Sequence, residues 1–229
     1  EWIEGSEYNE GTTVLLALCN MAYRTATGGD VVPGVSAFLA DAGMVGAMRI
    51  TPDLRESVKW GDLQNPRGIR DFRAGVSLSV MPTPEAQWTL NELLRARWVF
   101  SSSGLLARGL FLAHPEIGPR PPPSIYVAEG MGTLYRRDNR TLAWALAMPK
   151  TGVDHTNING AFDIQVYRDG WLLTRPHGYG VNVHEWAQNG PVYAGLGNFQ
   201  SAAPTWADSG STWAAIAGET HGTYWVSLW

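Results

Sequence analysis

Apolar positions follow two different rhythms along the chain. Residues 12–25 are densely apolar and stop at Gly28-Gly29-Asp30, which predicts a helix closed by glycine. Residues 33–48 predict a second helix rich in small side chains, with a turn at Thr51-Pro52-Asp53 beyond it. A third helix is announced by Thr83-Pro84-Glu85: threonine can cap, proline suits the first turn, and the acid suits the positive end of the helix dipole. Trp88, Leu90, Leu94 and Trp98 lie near helical spacing and carry that helix to about Trp98.

Between His114 and Ser124 stand Pro115, Pro119, Pro121, Pro122 and Pro123. Consecutive prolines join neither a helix nor a sheet interior, so the stretch predicts a semi-rigid linker. Beyond it the rhythm changes to short strands over residues 125–127, 131–135 and 141–147. Phe162, Ile164 and Val166 then alternate with Asp163, Gln165 and Tyr167, as in a half-buried strand. Asp169-Gly170 predicts a tight hairpin into a strand over residues 171–174, and residues 223–228 predict another strand. Helices first and antiparallel strands second is an α+β order.

Composition narrows the classes. Of 229 residues, 45% are hydrophobic and 17% charged, which describes a folded chain with a substantial core. The net charge of −4 comes with no basic run, so nucleic acid is not the expected partner. No stretch reaches the roughly 18 to 20 apolar residues that cross a bilayer, so no membrane partner is expected. Cys19 is the sole cysteine, excluding an internal disulfide, and its apolar neighbours predict a buried position. Eleven tryptophans are read mainly as core, with Trp60 or Trp186 beside a carbohydrate cleft. The chain opens at Glu1 without methionine and closes at Trp229 in a strand-like run, so it is expected to be a segment of a longer protein.

An ordered set of motifs runs through residues 4–190. Glu4-Gly5-Ser6-Glu7-Tyr8 precedes an apolar helix; Thr51-Pro52-Asp53 is followed by Gly61-Asp62; His114-Pro115-Glu116 opens the proline stretch. Asp154 through Phe162 reads DHTNINGAF, Trp171-Leu172 leads to Gly178-Tyr179-Gly180, and Val183-His184-Glu185 follows. Together these resemble the heparinase II/III-like polysaccharide lyases. The resemblance implies the C-terminal helices of an (α/α) toroid over residues 1–115, a linker over 116–124, and an antiparallel β-sandwich over 125–229. It further implies a secreted or periplasmic enzyme that performs β-elimination at a uronic-acid unit of an acidic polysaccharide. The rest of the same polypeptide, upstream and downstream, would complete it.

Elimination and its relative, C5 epimerisation, both begin by removing the weakly acidic C5 proton beside a carboxylate. That takes a neutralised carboxylate, a base and, for elimination, an acid for the departing O4. The resemblance assigns Tyr8 and His155 to this acid–base work. Tyr8 stands at a helix start, where the dipole favours phenolate; the plain alternative is a tyrosine that only packs there. His155 sits in a polar loop ahead of a strand, with Asp154 or Asn157 to fix its tautomer. His184, Asn157, Arg175 and Trp186 are candidate substrate contacts, and Arg175 suits a bidentate grip on carboxylate or sulfate. Several relatives hold a divalent metal here. Asn157 replaces the second histidine and Arg175 the expected aspartate, so no metal and no other cofactor is expected; His177 with His184 is the alternative ligand pair. The family's carboxylate-neutralising group would lie upstream of Glu1. A uronyl C5-epimerase and a non-catalytic glycan-binding protein of the same fold are the competing readings.

Overall fold

The computed structural model describes residues 6–58, 78, 80–96, 116–128, 133–146, 163–173, 203–220 and 223–228. Helix α1 spans Ser6–Thr27 and α2 spans Val35–Met48. The first ends at Gly28, whose φ of 79° is the left-handed stop the sequence announces and whose N–H reaches the carbonyl of Arg24 at 2.8 Å. Asn20, Arg24, Asp30 and Ser36 join the two helices in one polar network, with Asp30 accepting from Ser36 at 2.7 Å and Arg24 at 2.8 Å. The hydrogen bond from Ser36, with those from Arg24 and Asn20, holds the Asp30 carboxyl below its usual range.

Helix α3 spans Pro84–Arg95, three residues short of the expected end. Thr83 is extended and its hydroxyl accepts from the N–H of Ala86 at 3.2 Å, so the sequence-read cap forms. Gly43 of α2 makes room for that cap: a Cβ there would lie 2.7 Å from the Thr83 hydroxyl oxygen. Ala17, Val35, Leu39, Leu90 and Leu93 form the shared core of the three helices.

Among the described residues, eight strands follow. β1 (Ile125–Ala128), β2 (Thr133–Arg137), β3 (Thr141–Leu146), β4 (Asp163–Arg168) and β5 (Trp171–Leu173) make an antiparallel five-stranded sheet in sequence order. β6 (Ala203–Ser209), β7 (Ala214–Thr220) and β8 (Thr223–Leu228) make a three-stranded antiparallel meander. The β4–β5 hairpin turns on Asp169 and Gly170, with φ of 55° and 152°, as their dipeptide predicts. The chain is thus a mixed α+β protein with helices first and antiparallel strands second.

Register assigns the two faces of the larger sheet. Tyr135 pairs with Trp144, and Trp144 with Gln165, while Leu142 pairs with Tyr167. That face meets the helices: Val45 and Met48 of α2 and Val58 pack with Tyr135, Leu142, Trp144 and Tyr167. The opposite face presents Leu134, Ala145 and Ile164, which pack against Ala214, Ile216 and Ala207 of the second sheet.

Two sequence expectations are corrected. β4 is not half-buried with its apolar set inward: Gln165 and Tyr167 are the buried residues, and Ile164 and Val166 are only partly so. Both faces of the sheet are covered, and the more polar set meets the helical layer. Cys19 is exposed, because the buried stripe of α1 runs through Thr13, Ala17 and Asn20.

The proline-rich stretch is tied down on both sides. The Arg120 N–H donates to the carbonyl of Pro84, and its guanidinium pairs with Glu85 at 2.6 Å and 2.9 Å; the Glu85 side chain is 3% exposed. The N–H of Arg137 reaches the carbonyl of Ser124 at 2.8 Å.

Candidate functional site

Of the sequence candidates, Tyr8 is the third residue of α1, within its first turn. His155, Asn157, Arg175, His184 and Trp186 lie outside the described residues, as do Trp60, His114, His177 and His221. Thr51-Pro52-Asp53 is described and has a clear structural task. The Thr51 hydroxyl donates to Asp53 at 2.6 Å and accepts from the N–H of Glu56 at 3.0 Å, folding the turn after α2. Leu54, at φ 63°, takes a left-handed conformation there. The turn then reaches the sheet: the Trp171 indole N–H donates to Glu56, and Trp171 stands edge-on to Tyr167 with ring centroids 5.4 Å apart.

The helix–sheet seam is rich in tyrosine, and its phenols are held protonated. Burial, aided by a hydrogen bond to Asp53, pushes Tyr167 up to about 12. Burial and the Asp41 carboxylate, 3.3 Å from its hydroxyl, push Tyr126 up to about 12. Tyr135 is fully buried; that burial raises it further, against the opposing pull of Arg49, Thr133 and Trp144. None of these three phenols supplies a base near neutral pH. Among the described residues, the Tyr135 and Thr133 hydroxyls meet no partner at full hydrogen-bonding geometry, although they lie close to one another, and both residues are 0% exposed. This is a closed polar layer, not a ligand space.

An open pocket of ≈ 380 Å³ lies where helices, proline stretch and sheet meet. Trp88 of α3, Pro52 of the post-α2 turn, Pro121, Pro122 and Ser124 line it, together with Arg137, Asp138 and Asn139 at the β2–β3 turn. Burial lowers the Arg137 guanidinium to about 10, so it stays charged at neutral pH. Its Nη1 donates to the carbonyl of Ala47 in the last turn of α2 at 3.0 Å. No sequence motif marked Arg137 or Trp88 as partners; they are 49 positions apart and only the tertiary fold brings them together.

The expectation that tryptophans are mostly core holds for Trp144, which is fully buried. Trp206 and Trp213 are 48% and 39% exposed, on and beside the β6–β7 hairpin, which periodicity had not identified. Among the described residues no group of three His, Cys, Asp or Glu side chains converges as a metal site. Among them, too, no helix is long and apolar enough to cross a membrane.

No protein-family model, curated protein or solved structure matches this chain.

Proposed function

We propose that the chain is the joint of a heparinase II/III-like polysaccharide lyase, with helices of an (α/α) toroid leading through residues 116–124 into a β-sandwich. The observation that carries the reading is the layered order. A helical layer, a proline stretch and then two antiparallel sheets sharing an aliphatic cluster follow one another along the chain. The motif resemblance supports the same order. Leu15, Val32 and Phe38 on or beside the first two helices are exposed, as expected of helices that pack within a larger helical array.

In this reading the substrate is an acidic, uronate-containing polysaccharide. Tyr8 and His155 share the proton transfers. One removes the C5 proton, whose electron pair forms the C4=C5 double bond as the C4–O bond breaks. The other protonates the departing O4. Asn157, Arg175, His184 and Trp186 hold the carboxylate and the ring. Tyr8 lies in the first turn of α1, the end of a helix at which the dipole favours negative charge. The phenols of Tyr126, Tyr135 and Tyr167 are all raised, which favours the protonated form instead.

The test uses the full-length polypeptide that carries this sequence, incubated with a panel of acidic polysaccharides. The unsaturated uronyl product gives a new ultraviolet absorbance. Tyr8→Phe is expected to lower turnover about 10²- to 10⁴-fold while substrate binding changes little. A Tyr8→Phe protein with full activity removes Tyr8 from the mechanism. Absence of product across the panel removes the lyase reading. The exposed Trp206 and Trp213 favour the second reading, a glycan-binding protein without turnover, since exposed indoles are platforms for sugar rings.

A further inference from the structure

Residues 119–123 read Pro-Arg-Pro-Pro-Pro, so Arg120 carries the only backbone N–H in the run. That N–H donates to the carbonyl of Pro84 at 3.1 Å, and the guanidinium donates to Glu85 through Nε at 2.9 Å and Nη2 at 2.6 Å. Among the described residues, these are the hydrogen bonds that residues 119–123 make. Both acceptors belong to the first two residues of α3. Prolines fix their own φ and restrict the residue before them, so the run has few internal freedoms and moves as a stiff strap. Its hydrogen bonding to the helical layer therefore passes through a single residue.

The fastening is asymmetric. The Glu85 side chain is 3% exposed, whereas that of Arg120 is 69% exposed. A buried carboxylate is costly unless a cation and hydrogen bonds compensate it, and among the described residues Arg120 is the cation paired with Glu85. Arg120 itself, with most of its surface in water, swings away at little cost. Release therefore costs mainly at Glu85. That cost is moderated, because Glu85 lies in the first turn of α3, where the helix dipole favours a carboxylate with or without a partner. Such a pair closes by default and opens without unfolding the helix.

Pro121 and Pro122 lie between this fastening and Ser124, whose carbonyl accepts from the N–H of Arg137 at the end of β2. Both prolines line the same pocket as Trp88. Trp88 stands three residues beyond Glu85 and so shares its face of α3. The fastening and the pocket wall are thus joined through one helix face and one stiff strap. We propose that the Glu85–Arg120 pair is a latch on the proline strap. Closed, it holds Pro121 and Pro122 as a wall of the pocket; released, it lets the strap swing about Ser124 and uncovers Trp88. The latch goes beyond the lyase reading and depends on no ligand and no turnover, so its test is separate from any assay of activity.

The experiment is hydroxyl-radical footprinting of the intact chain, read residue by residue by mass spectrometry. Trp88 is half-buried and reports on the strap; Trp144 is fully buried and reports on global unfolding. Arg120→Ala removes the guanidinium but keeps the N–H, and is expected to raise Trp88 oxidation severalfold. Arg120→Pro removes the N–H as well and is expected to give the largest rise. Glu85→Gln keeps the shape of the side chain and leaves no unpaired buried charge, so it preserves the fold; a smaller rise is expected, because the amide oxygen still accepts. Trp144 is expected to stay at the parent rate in all three. Leu134→Ala, which weakens the far face of the sheet, is expected to leave Trp88 at the parent rate too. Parent-rate oxidation of Trp88 in Arg120→Ala and Glu85→Gln would overturn the latch. So would a rise at Trp88 that Trp144 matches in Glu85→Gln, or one that Leu134→Ala reproduces.

Discussion

The two faces of the five-stranded sheet solve the same burial problem with different chemistry. Toward the helices the sheet presents Tyr135, Trp144, Tyr167 and Gln165, with Arg49 just beyond the end of α2 also buried. Toward the second sheet it presents Leu134, Ala145 and Ile164 against Ala214 and Ile216. Sheet-on-sheet contact is about 10 Å thick and is filled by short aliphatic side chains from both partners. A helix lying on a sheet leaves a less regular gap, and long aromatics fill it while their polar tips reach for partners. The helical face is therefore the more specific of the two, and among the described residues it contains the Thr133 and Tyr135 hydroxyls, which meet no partner at full hydrogen-bonding geometry.

Truncation of Trp144 is the largest test of this contrast. Trp144→Ala removes the largest fully buried side chain from the helix–sheet seam and is expected to cost about 3–5 kcal/mol. It also strips Tyr135 of a neighbour across the β2–β3 ladder. Leu134→Ala on the other face is expected to cost about 2–5 kcal/mol, toward the low end, because its neighbours there are small and can close in. Urea unfolding of both variants measures the difference. A larger loss at Leu134 than at Trp144 would reverse the ranking of the two faces.

The same contrast explains what was legible in the sequence. Helix starts and stops are written in local chemistry, so Gly28, Thr83 and the Asp169-Gly170 hairpin could be read directly. The strands of the larger sheet were legible through alternation and punctuation. β6 and β7 were not: Ala203–Ser209 and Ala214–Thr220 are built mostly from alanine, glycine and polar residues. Their strand character comes from pairing with each other and with β8, and small side chains carry little periodic signal. The inward face of β4 was misread because Gln165 and Tyr167 look polar until a helical layer is placed over them. Tyr8 was legible only by motif resemblance, and the Arg137 pocket not at all, since its walls come from four separate segments.

Alkali separates the two faces by titration. Tyr126 and Tyr167 have phenols raised to about 12 against an ordinary 10, and both lie on the helical side. A group whose folded pKa is raised contributes stability that is complete below its unfolded value and is lost as pH climbs through the folded one. Stability is thus expected to fall between pH 10 and 12. The contribution of the buried Tyr167 is on the order of 2 kcal/mol. Tyr167→Phe removes that titration and is expected to move the alkaline midpoint upward, whereas Leu134→Ala lowers stability at every pH without changing the profile's shape. Circular dichroism followed across pH 9 to about pH 12 distinguishes the two. An unshifted midpoint in Tyr167→Phe would show that the aromatic face is not what fails in alkali.

The smallest effect is expected where neither face of the sheet is touched. Thr83 caps α3 through its hydroxyl, which accepts from the N–H of Ala86, and it belongs to the helical core rather than to either sheet contact. Thr83→Ala leaves that N–H at the helix start without its side-chain acceptor, and water replaces it incompletely because Thr83 is 5% exposed. A loss of about 1 kcal/mol is expected, within the 0.5–2 kcal/mol range of such caps, and Thr83→Ser should recover most of it by restoring the oxygen. The loss should add to that of Leu134→Ala within about 0.5 kcal/mol, since the two sites share no partner. Coupling beyond that in the double variant would mean that strain in the helical layer is transmitted through the sheet to its far face, and the two faces would then have to be treated as one cooperative unit.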